Sequence, residues 1–206
     1  MLEWALRLVR PRPPGGTAID PLTERFITSA RAAAAVVTTT TPDRLGRALG
    51  TLLAGEPLVL VAADHAHLVP ELEVLGVSAV VGTREALAAS PGGPSLEEAL
   101  RLAGAAVTGS LVAVAASGSV AVGPSGGNGG LLSALPPRHV VLVREQDIRA
   151  TLAEGLALIF ERFPELGGEM VFVTGPSRTA DIEMMSVLGV HGPIRLDVVV
   201  IAGEAV

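Results

Sequence analysis

The chain has 206 residues, of which 49% are hydrophobic and only 2% aromatic, so aliphatic side chains must build its core. That length suits one domain with a short appendage, and that hydrophobic content excludes a wholly disordered chain. All 15 basic residues are arginine, and lysine, cysteine and tyrosine are absent. The chain therefore has no lysine Schiff base, P-loop lysine, disulfide or cysteine-ligated iron–sulfur cluster of its own. A net charge of −6 argues against nucleic acid as a partner, because phosphate binding needs a basic face.

The apolar runs of the sequence are too short to cross a membrane as helices. The best of them, at 111–122 and 198–202, fall well below the roughly 20 residues that a spanning helix needs. At the N-terminus, charged residues interrupt the apolar stretch and more arginines follow it, which is the wrong order for a secretory signal. We therefore expect a cytoplasmic protein without a membrane span.

A Pro- and Gly-rich segment at 11–17 separates the first residues from the rest of the chain. We expect an N-terminal arm at 1–17 and one main domain at 18–206. The arm carries Trp4 among aliphatic residues, so it should pack on its own domain or on another subunit. The second alternative leaves homo-oligomerisation open.

Apolar, β-branched runs alternate along the chain with segments of helical spacing, which is typical of an α/β layer fold. Ser117 and Gly118 between two apolar runs predict a hairpin. The expected fold class is therefore α/β, with three layers and an open mixed sheet that carries helices on both faces. The strands are predicted at 36–39, 58–62, 79–81, 111–115, 120–122, 139–143, 170–174 and 197–202, and the helices at 21–34, 42–54, 66–75, 96–102, 146–163 and 180–188.

Two segments resemble ligand loops only weakly. The glycine-rich run at 123–130 has neither the dinucleotide fingerprint nor the P-loop spacing, so we expect a surface loop there. Asp64, His65 and His67 suggest a metal site, but helical positions two apart point to different sides. We therefore predict no metal, with Asp64 as a helix cap and the histidines exposed.

A more specific pattern begins after the apolar run at 170–174, where a polar elbow leads into helical spacing. In open α/β sheets, ligands bind outside the carboxyl ends of strands. Hydroxyl groups in such a turn can cap the helix, and the guanidinium of Arg178 can bind a carboxylate or phosphate. The sequence thus indicates a small anionic ligand at the elbow, which reads Gly175-Pro176-Ser177-Arg178-Thr179.

Acidic residues leave a second interpretation of this elbow open. Asp181 and Glu183 would interact with the helix dipole themselves and repel an anion, so a purely structural cap is equally consistent with the spacing. His191 lies between two glycines and ahead of a proline, and it is a candidate acid or base near neutral pH. A hydrogen-bonded loop histidine is the alternative.

The same residues resemble the signature of the LUD domain family of the lactate-utilisation protein C type. The resemblance is carried by the run from Gly175 to Glu183 and by Leu188-Gly-Val-His-Gly-Pro193. Weaker matches lie at Thr108–Leu111 and Leu135–Val140, in the family's order. Together these segments span about half of the chain.

The resemblance implies a fold similar to that of ribose-5-phosphate isomerases, glucosamine-6-phosphate deaminases and CoA transferases. It also implies a part in the oxidation of L-lactate to pyruvate, beside an iron–sulfur oxidoreductase subunit and a second, Cys-rich LUD subunit. This chain would then bind no cofactor, the iron–sulfur clusters would belong to its partners, and its own role would be that of an accessory or substrate-binding subunit.

The expected ligand cleft joins the elbow to residues elsewhere in the chain, with Asp181, Glu183 and His191 as catalytic candidates. A free-standing enzyme or a regulatory binding protein remains the alternative, with a phosphorylated sugar, a folate or a CoA-type ligand. The ligand-binding residues are predicted to be Thr108, Gly109, Gly175, Pro176, Ser177, Arg178, Thr179, Asp181 and Gly192.

Overall fold

Six strands that all run in one direction form the main sheet of the computed structural model, in the order β1-β12-β7-β4-β2-β3. The strands of such a sheet are buried on both faces, and here they are rich in valine, leucine and alanine. They comprise β1 (Val36–Thr40), β2 (Val59–Val61), β3 (Ala79–Val81), β4 (Ala105–Gly109), β7 (Arg138–Arg144) and β12 (Arg195–Ile201). The structure describes residues 20–89, 92–124, 128–164, 166, 170–180, 186–188 and 192–203, with backbone only at 178–180 and 186–188.

Helices cover this sheet from both sides. On one face, Leu49 and Leu72 pack on β2, β4, β7 and β12. On the other face, Phe26 packs over β1, β7 and β12, and Leu132 packs over β2 and β4. The helices are α1 (Pro21–Ala32), α2 (Leu45–Leu52), α3 (Val69–Val74), α4 (Arg84–Ala88), α5 (Leu96–Leu102), α6 (Gly129–Ala134) and α7 (Leu152–Arg162), and single 3₁₀ turns lie at Pro42–Arg44, Ala63–Leu68 and Glu145–Asp147. No helix within the described ranges is long and apolar enough to cross a membrane.

The predicted hairpin is confirmed, and it belongs to a second sheet. Strand β5 (Val112–Val114) pairs antiparallel with β6 (Ser119–Val122), which pairs antiparallel with β9 (Val171–Val173). On its other side β5 pairs parallel with β8 (Ile148–Arg149). Mixed pairing therefore occurs in this four-stranded sheet, whereas the six-stranded sheet is wholly parallel.

Glycine is required at the tip of the hairpin. Gly118 has a φ of 70°, in the left-handed region that favours glycine. A Cβ atom there would also lie 2.3 Å from the backbone nitrogen of Ala30 in α1. The hairpin tip therefore packs backbone to backbone against α1, which fixes the second sheet on the main one.

Two of the predicted helices are wrong in part or in whole. In the range expected to be one helix, 146–163, Ile148 and Arg149 form a short strand that pairs with β5. The helix begins only after Thr151, whose hydroxyl accepts from Glu154 N as the N-cap. The helix expected at 180–188 is replaced by two short antiparallel strands, β10 (Arg178–Ala180) and β11 (Ser186–Leu188). The loop expected at 123–130 is present at 123, 124 and 128, and it ends two residues early because α6 begins at Gly129.

Strand β4 and helix α4 were not predicted. The strand reads Ala105-Ala-Val-Thr-Gly109, and alanine has little preference for strands. The small side chain of Ala106 nevertheless lets Leu132 and Leu96 pack closely over the strand. Helix α4 did have a signal, since Thr83 Oγ1 accepts from Ala86 N at 3.2 Å as an N-cap. The predicted arm at 1–17 lies outside the described residues.

A histidine lies in the interior of the main sheet. His139 of β7 is completely buried, and its Nε2 lies 2.8 Å from Thr108 Oγ1 on the neighbouring β4. Its Nδ1 has no hydrogen-bond partner within the described part of the chain. Burial lowers the pKa of His139 from 6.5 to about 4, so the imidazole is neutral at physiological pH.

We expect His139 to make the protein sensitive to acid. Between about pH 6.5 and pH 4 the unfolded chain binds a proton at this residue and the folded chain does not. The free energy of unfolding should therefore fall by about 3 kcal/mol as the pH is lowered through this window. Urea unfolding at several pH values would measure it, with His139→Gln as the comparison. Equal pH dependence in the two proteins would contradict this assignment, and an NMR titration of the wild-type imidazole gives its pKa even if the variant does not fold.

Candidate functional site

The predicted elbow lies at the edge where the parallel strands begin, which we call the amino edge. Ser177 N donates to Pro193 O at 2.8 Å, and Pro193 comes just before β12. A Cβ atom on Gly175, which has a φ of 73°, would lie 2.0 Å from the carbonyl oxygen of Ala33, just before β1. Gly192 packs on the Ser177 side chain. The elbow, Pro176 included, thus belongs to the start of the strands rather than to their carboxyl ends.

Thr108 and Gly109 lie at the opposite end of the sheet, where β4 finishes. Gly109 is in register with Leu142 of β7, four residues beyond the start of that strand at Arg138. At about 3.3 Å per residue this places it roughly 13 Å from the amino edge. The hydroxyl of Thr108 is fully buried against His139. The structure therefore does not bring Thr108 and Gly109 together with Gly175, Ser177 and Gly192.

The structure describes the remaining predicted site residues only in part or not at all. The backbone of Arg178 and Thr179 lies in β10, so neither residue caps a helix. Asp181, Glu183 and His191 lie outside the described residues. The binding and catalytic roles given to these five residues stay predictions.

A crevice of about 580 Å³ opens at the other edge of the sheet, where the strands end, which we call the carboxyl edge. The chain leaves β2 to form β3 on one side and then returns to form β4 on the other, so the strand order reverses between β2 and β4. Ligands of open α/β sheets bind at such reversals. The polar lining of this carboxyl-edge crevice comprises Asp64, His65, His67, Glu71, Ser110, Arg144 and Gln146, and its apolar lining includes Leu45, Leu68, Leu111, Leu142, Phe163 and Ile201.

Both histidines that follow β2 line this crevice, which corrects the expectation that they point to different sides. His65 has non-helical backbone angles within the 3₁₀ turn, and its ring centroid lies 6.0 Å from that of His67. His65 Nδ1 lies 3.0 Å from Asp64 Oδ1, but the two atoms are not aligned as a hydrogen bond. At this distance the carboxylate attracts a protonated imidazole. Within the described ranges, no three His, Cys, Asp or Glu side chains form a group that could hold a metal ion.

Gly109 has a steric role beneath His65. A Cβ atom built at this position would lie 2.6 Å from His65 Cε1 and 3.1 Å from its Nε2. The absence of a side chain therefore lets the imidazole lie against the end of β4. The next residue, Ser110, has a buried hydroxyl oxygen without a partner among the residues described, so this hydroxyl is left to bond a ligand in the crevice.

The cation of the crevice is Arg144, at the last position of β7. Its Nε donates to Asp147 Oδ2 at 2.8 Å, and Arg162 of α7 binds the other oxygen of the same carboxylate. Asp147 is completely buried, whereas the Arg144 side chain is 54% exposed. The buried carboxylate thus orients a guanidinium whose terminal nitrogens make no hydrogen bond with the described residues and can bind an anion in the crevice.

The crevice can accordingly bind a small anion that also carries a hydrogen-bonding group. Arg144 supplies the positive charge, His65 and Ser110 supply polar groups, and aliphatic residues cover the rest of the wall. Sequence reasoning missed Arg144 and Asp147. A signal was present, because a charged residue directly after the buried run at 139–143 must leave the sheet at its carboxyl edge.

Fold and crevice together define an α/β protein with a covered parallel sheet and a ligand crevice at its carboxyl edge. The sequence model of the LUD domain family matches residues 23–201, so the chain belongs to the LUD domain family. A crystal structure of a DUF162 family protein from Deinococcus radiodurans superposes with a TM-score of 0.68 at 25% identity, covering 91% of this chain and 100% of that one. The predicted family and fold class are confirmed.

Curated relatives named Lactate utilization protein C are similar over parts of the chain. The protein of that name from Deinococcus radiodurans is 37% identical over 110 residues, which are 52% of this chain and 51% of the relative. The one from Bacillus pumilus is 30% identical over 174 residues, which are 77% of this chain and 69% of the relative. The matched part of the chain therefore spans about half of the first of these relatives and about two thirds of the second.

The Asp147 carboxylate should be a strong determinant of stability and of the crevice. Asp147→Asn removes a buried charge that two partly exposed arginines share, and we expect the loss of these charged hydrogen bonds to lower the free energy of unfolding by about 2 kcal/mol. Asp43→Asn is the matched control, because Asp43 is exposed and lies 3.8 Å from a similarly exposed Arg44. Chemical denaturation of the two variants measures the difference. Equal stability in both would show that the buried carboxylate contributes no more than an exposed one.

Proposed function

We propose that this chain is the LUD subunit of a system that uses L-lactate, and that it binds the substrate while partner subunits oxidise it to pyruvate. Membership of the LUD domain family and the relatives named Lactate utilization protein C support this role. Lactate oxidation removes two electrons. Since the chain has no cysteine, cysteine-ligated clusters that accept these electrons would belong to an iron–sulfur oxidoreductase subunit and a Cys-rich LUD subunit in the cytoplasm.

The observation that carries a substrate-binding role is the placement of Arg144 in the carboxyl-edge crevice. A guanidinium that is oriented through Nε by Asp147 can bind a carboxylate with its remaining nitrogens. In this arrangement the hydroxyl of lactate would lie toward Ser110 and His65, and the methyl group toward the aliphatic wall. His65, beside Asp64, would accept the hydroxyl proton during oxidation.

The size of the crevice favours a second candidate function, with a ligand larger than lactate. A volume of about 580 Å³ falls in the range of sites that hold drug-sized ligands, and lactate would fill only a small part of it. The same anchor at Arg144 would suit a phosphorylated sugar, a folate or a CoA-type ligand. The protein would then act as a free-standing enzyme or a regulatory binding protein.

Ligand binding separates these candidates. We expect L-lactate to raise the Tm of the purified chain, with a smaller shift for propionate, which lacks the hydroxyl, and none for lactamide, which lacks the charge. Arg144→Gln should weaken lactate binding about tenfold. The control is Arg84→Gln, which changes an exposed residue of helix α4 outside the crevice. This variant should bind lactate as the wild type does. A shift with CoA esters, folates or sugar phosphates and none with lactate would favour the second candidate.

The cellular role needs its own test. Deletion of this gene in its host should abolish growth on L-lactate as sole carbon source, because electrons cannot leave a substrate that is not bound. Growth on pyruvate, the product, should be unaffected and is the matched control. Restored growth by the wild-type gene, and not by one encoding Arg144→Gln, would connect the crevice to the role, whereas normal lactate growth of the deletion strain would refute it.

A further inference from the structure

A second depression lies on the main sheet, away from the carboxyl-edge crevice. It is a solvent-open groove of about 590 Å³ between α2 and the edge strand β1. We call it the arginine groove, and its polar lining includes Thr38, Thr40, Arg44, Arg47, Arg138 and Arg195.

The groove exists because β1 lacks the cover that its neighbours have. Thr38 is in register with Val199 of β12, so it lies on the face of the sheet where Leu49 of α2 packs. The core on that face ends at β12, and Val36 remains 45% exposed. Within the described ranges, β1 therefore has one outer edge and one face that no other element covers.

The charges in the groove are positive where they are accessible. Arg138 and Arg195 share the buried Asp197, and Arg138 also donates to Glu56 Oε1 at 3.0 Å. Burial acts to lower the pKa of Arg138, but hydrogen bonds with Asp197 and then Glu56 outweigh it and raise this pKa. These pairs are largely neutral overall and fix the floor of the groove.

The outer wall carries charges that are less compensated. Arg44 is highly exposed, and among the described residues its guanidinium pairs only with the similarly exposed Asp43, at 3.8 Å. Arg47 is also exposed, and its guanidinium makes no hydrogen bond or ion pair with a described residue, although its carbonyl oxygen accepts from Thr51 Oγ1. A positive wall is therefore present on a chain whose net charge is −6.

The length of the arginine groove distinguishes an extended ligand from a compact one. Arg195 begins β12, whereas Ile201, in register with Thr40, ends it, so the groove runs along six residues or about 20 Å of strand. Arg44 and Arg47 follow Thr40 in the chain, in the turn after β1 and in the first turn of α2. One phosphate group cannot fill this length of groove, but an extended polypeptide can.

We propose that the arginine groove docks an acidic segment of a partner protein, lying along β1 with its carboxylates on Arg44 and Arg47. The sheet face offers Val36 and Thr38 to the middle of the segment, and the guanidinium groups supply the charge complementarity. This surface is separate from the carboxyl-edge crevice, and the proposal does not depend on lactate as the ligand.

A labelled oligoglutamate peptide long enough to span the groove tests the proposal by fluorescence anisotropy on the full chain. We expect binding that weakens as the salt concentration rises, because the contacts are exposed. Arg44→Glu/Arg47→Glu should weaken it at least about tenfold. Arg25→Glu/Arg84→Glu changes the net charge equally on helices α1 and α4, outside the groove, and should leave the affinity within about twofold.

Three results would overturn the proposal. The first is no binding of oligoglutamate at low salt. The second is an equal loss of affinity in the two double variants. The third is displacement of the peptide by pyrophosphate at a concentration similar to that of the peptide, which would indicate a site for a compact anion. If Arg44→Glu/Arg47→Glu does not fold by circular dichroism, Arg44→Gln/Arg47→Gln replaces it, with Arg25→Gln/Arg84→Gln as its control.

Discussion

A parallel sheet places the ends of all its strands at one edge, and the chemistry of this protein follows from that constraint. β2, β4, β7 and β12 all finish at the carboxyl edge, so residues far apart in sequence meet there. Gly109 and Arg144 are 35 positions apart in the printed sequence, yet both line one crevice because their strands are neighbours. The reversal of strand order between β2 and β4 opens the sheet at that point. His65 lies against the end of β4 there, in contact that only glycine permits.

Buried carboxylates, each shared by two arginines, hold both edges of the sheet. At the amino edge Asp197 binds Arg138 and Arg195, and at the carboxyl edge Asp147 binds Arg144 and Arg162. Lysine could not replace arginine in such pairs without loss, because the guanidinium has several donors in a fixed plane. The absence of lysine from the sequence is thus consistent with a protein whose buried carboxylates, among the residues described, both bind arginine. In each group one arginine, Arg195 or Arg144, stays about half exposed and lines the neighbouring groove or crevice.

The parts of the fold that could be predicted from sequence are those with strong local signals. β-branched runs gave β1, β3, β7 and β12, and a turn at Ser117 and Gly118 gave the hairpin. The central strand β4 could not be found in this way, because its alanines are selected by close packing between β2 and β7 rather than by local preference. For the same reason the spacing at 180–188 predicts a helix, whereas pairing of β10 with β11 decides the conformation of 178–180 and 186–188.

The candidate site was predicted less well than the fold, for a physical reason. Gly109 was identified from a resemblance to a family. Its partner His65 was set aside as a site residue on the assumption of a regular helix. The structure instead has a 3₁₀ turn with one non-helical residue, which places both histidines in the crevice. Arg144 was missed because its role depends on Asp147, three residues away, and on Arg162 of α7, which binds the same carboxylate. A local pattern cannot specify such a three-element contact.

The exposure of the crevice bears on how an oxidation could take place there. Arg144 is half exposed and the crevice is far larger than lactate, so a substrate bound by this chain alone would remain in contact with water. Electron transfer from such a substrate requires an acceptor close to it, and a chain without cysteine supplies no cysteine-ligated cluster. A partner that covers the crevice would satisfy both requirements, because it would exclude water and bring the acceptor close to the substrate. Under the proposed function the large opening is therefore the expected shape of a site that two subunits complete, and the positive arginine groove offers such a partner a separate place to bind.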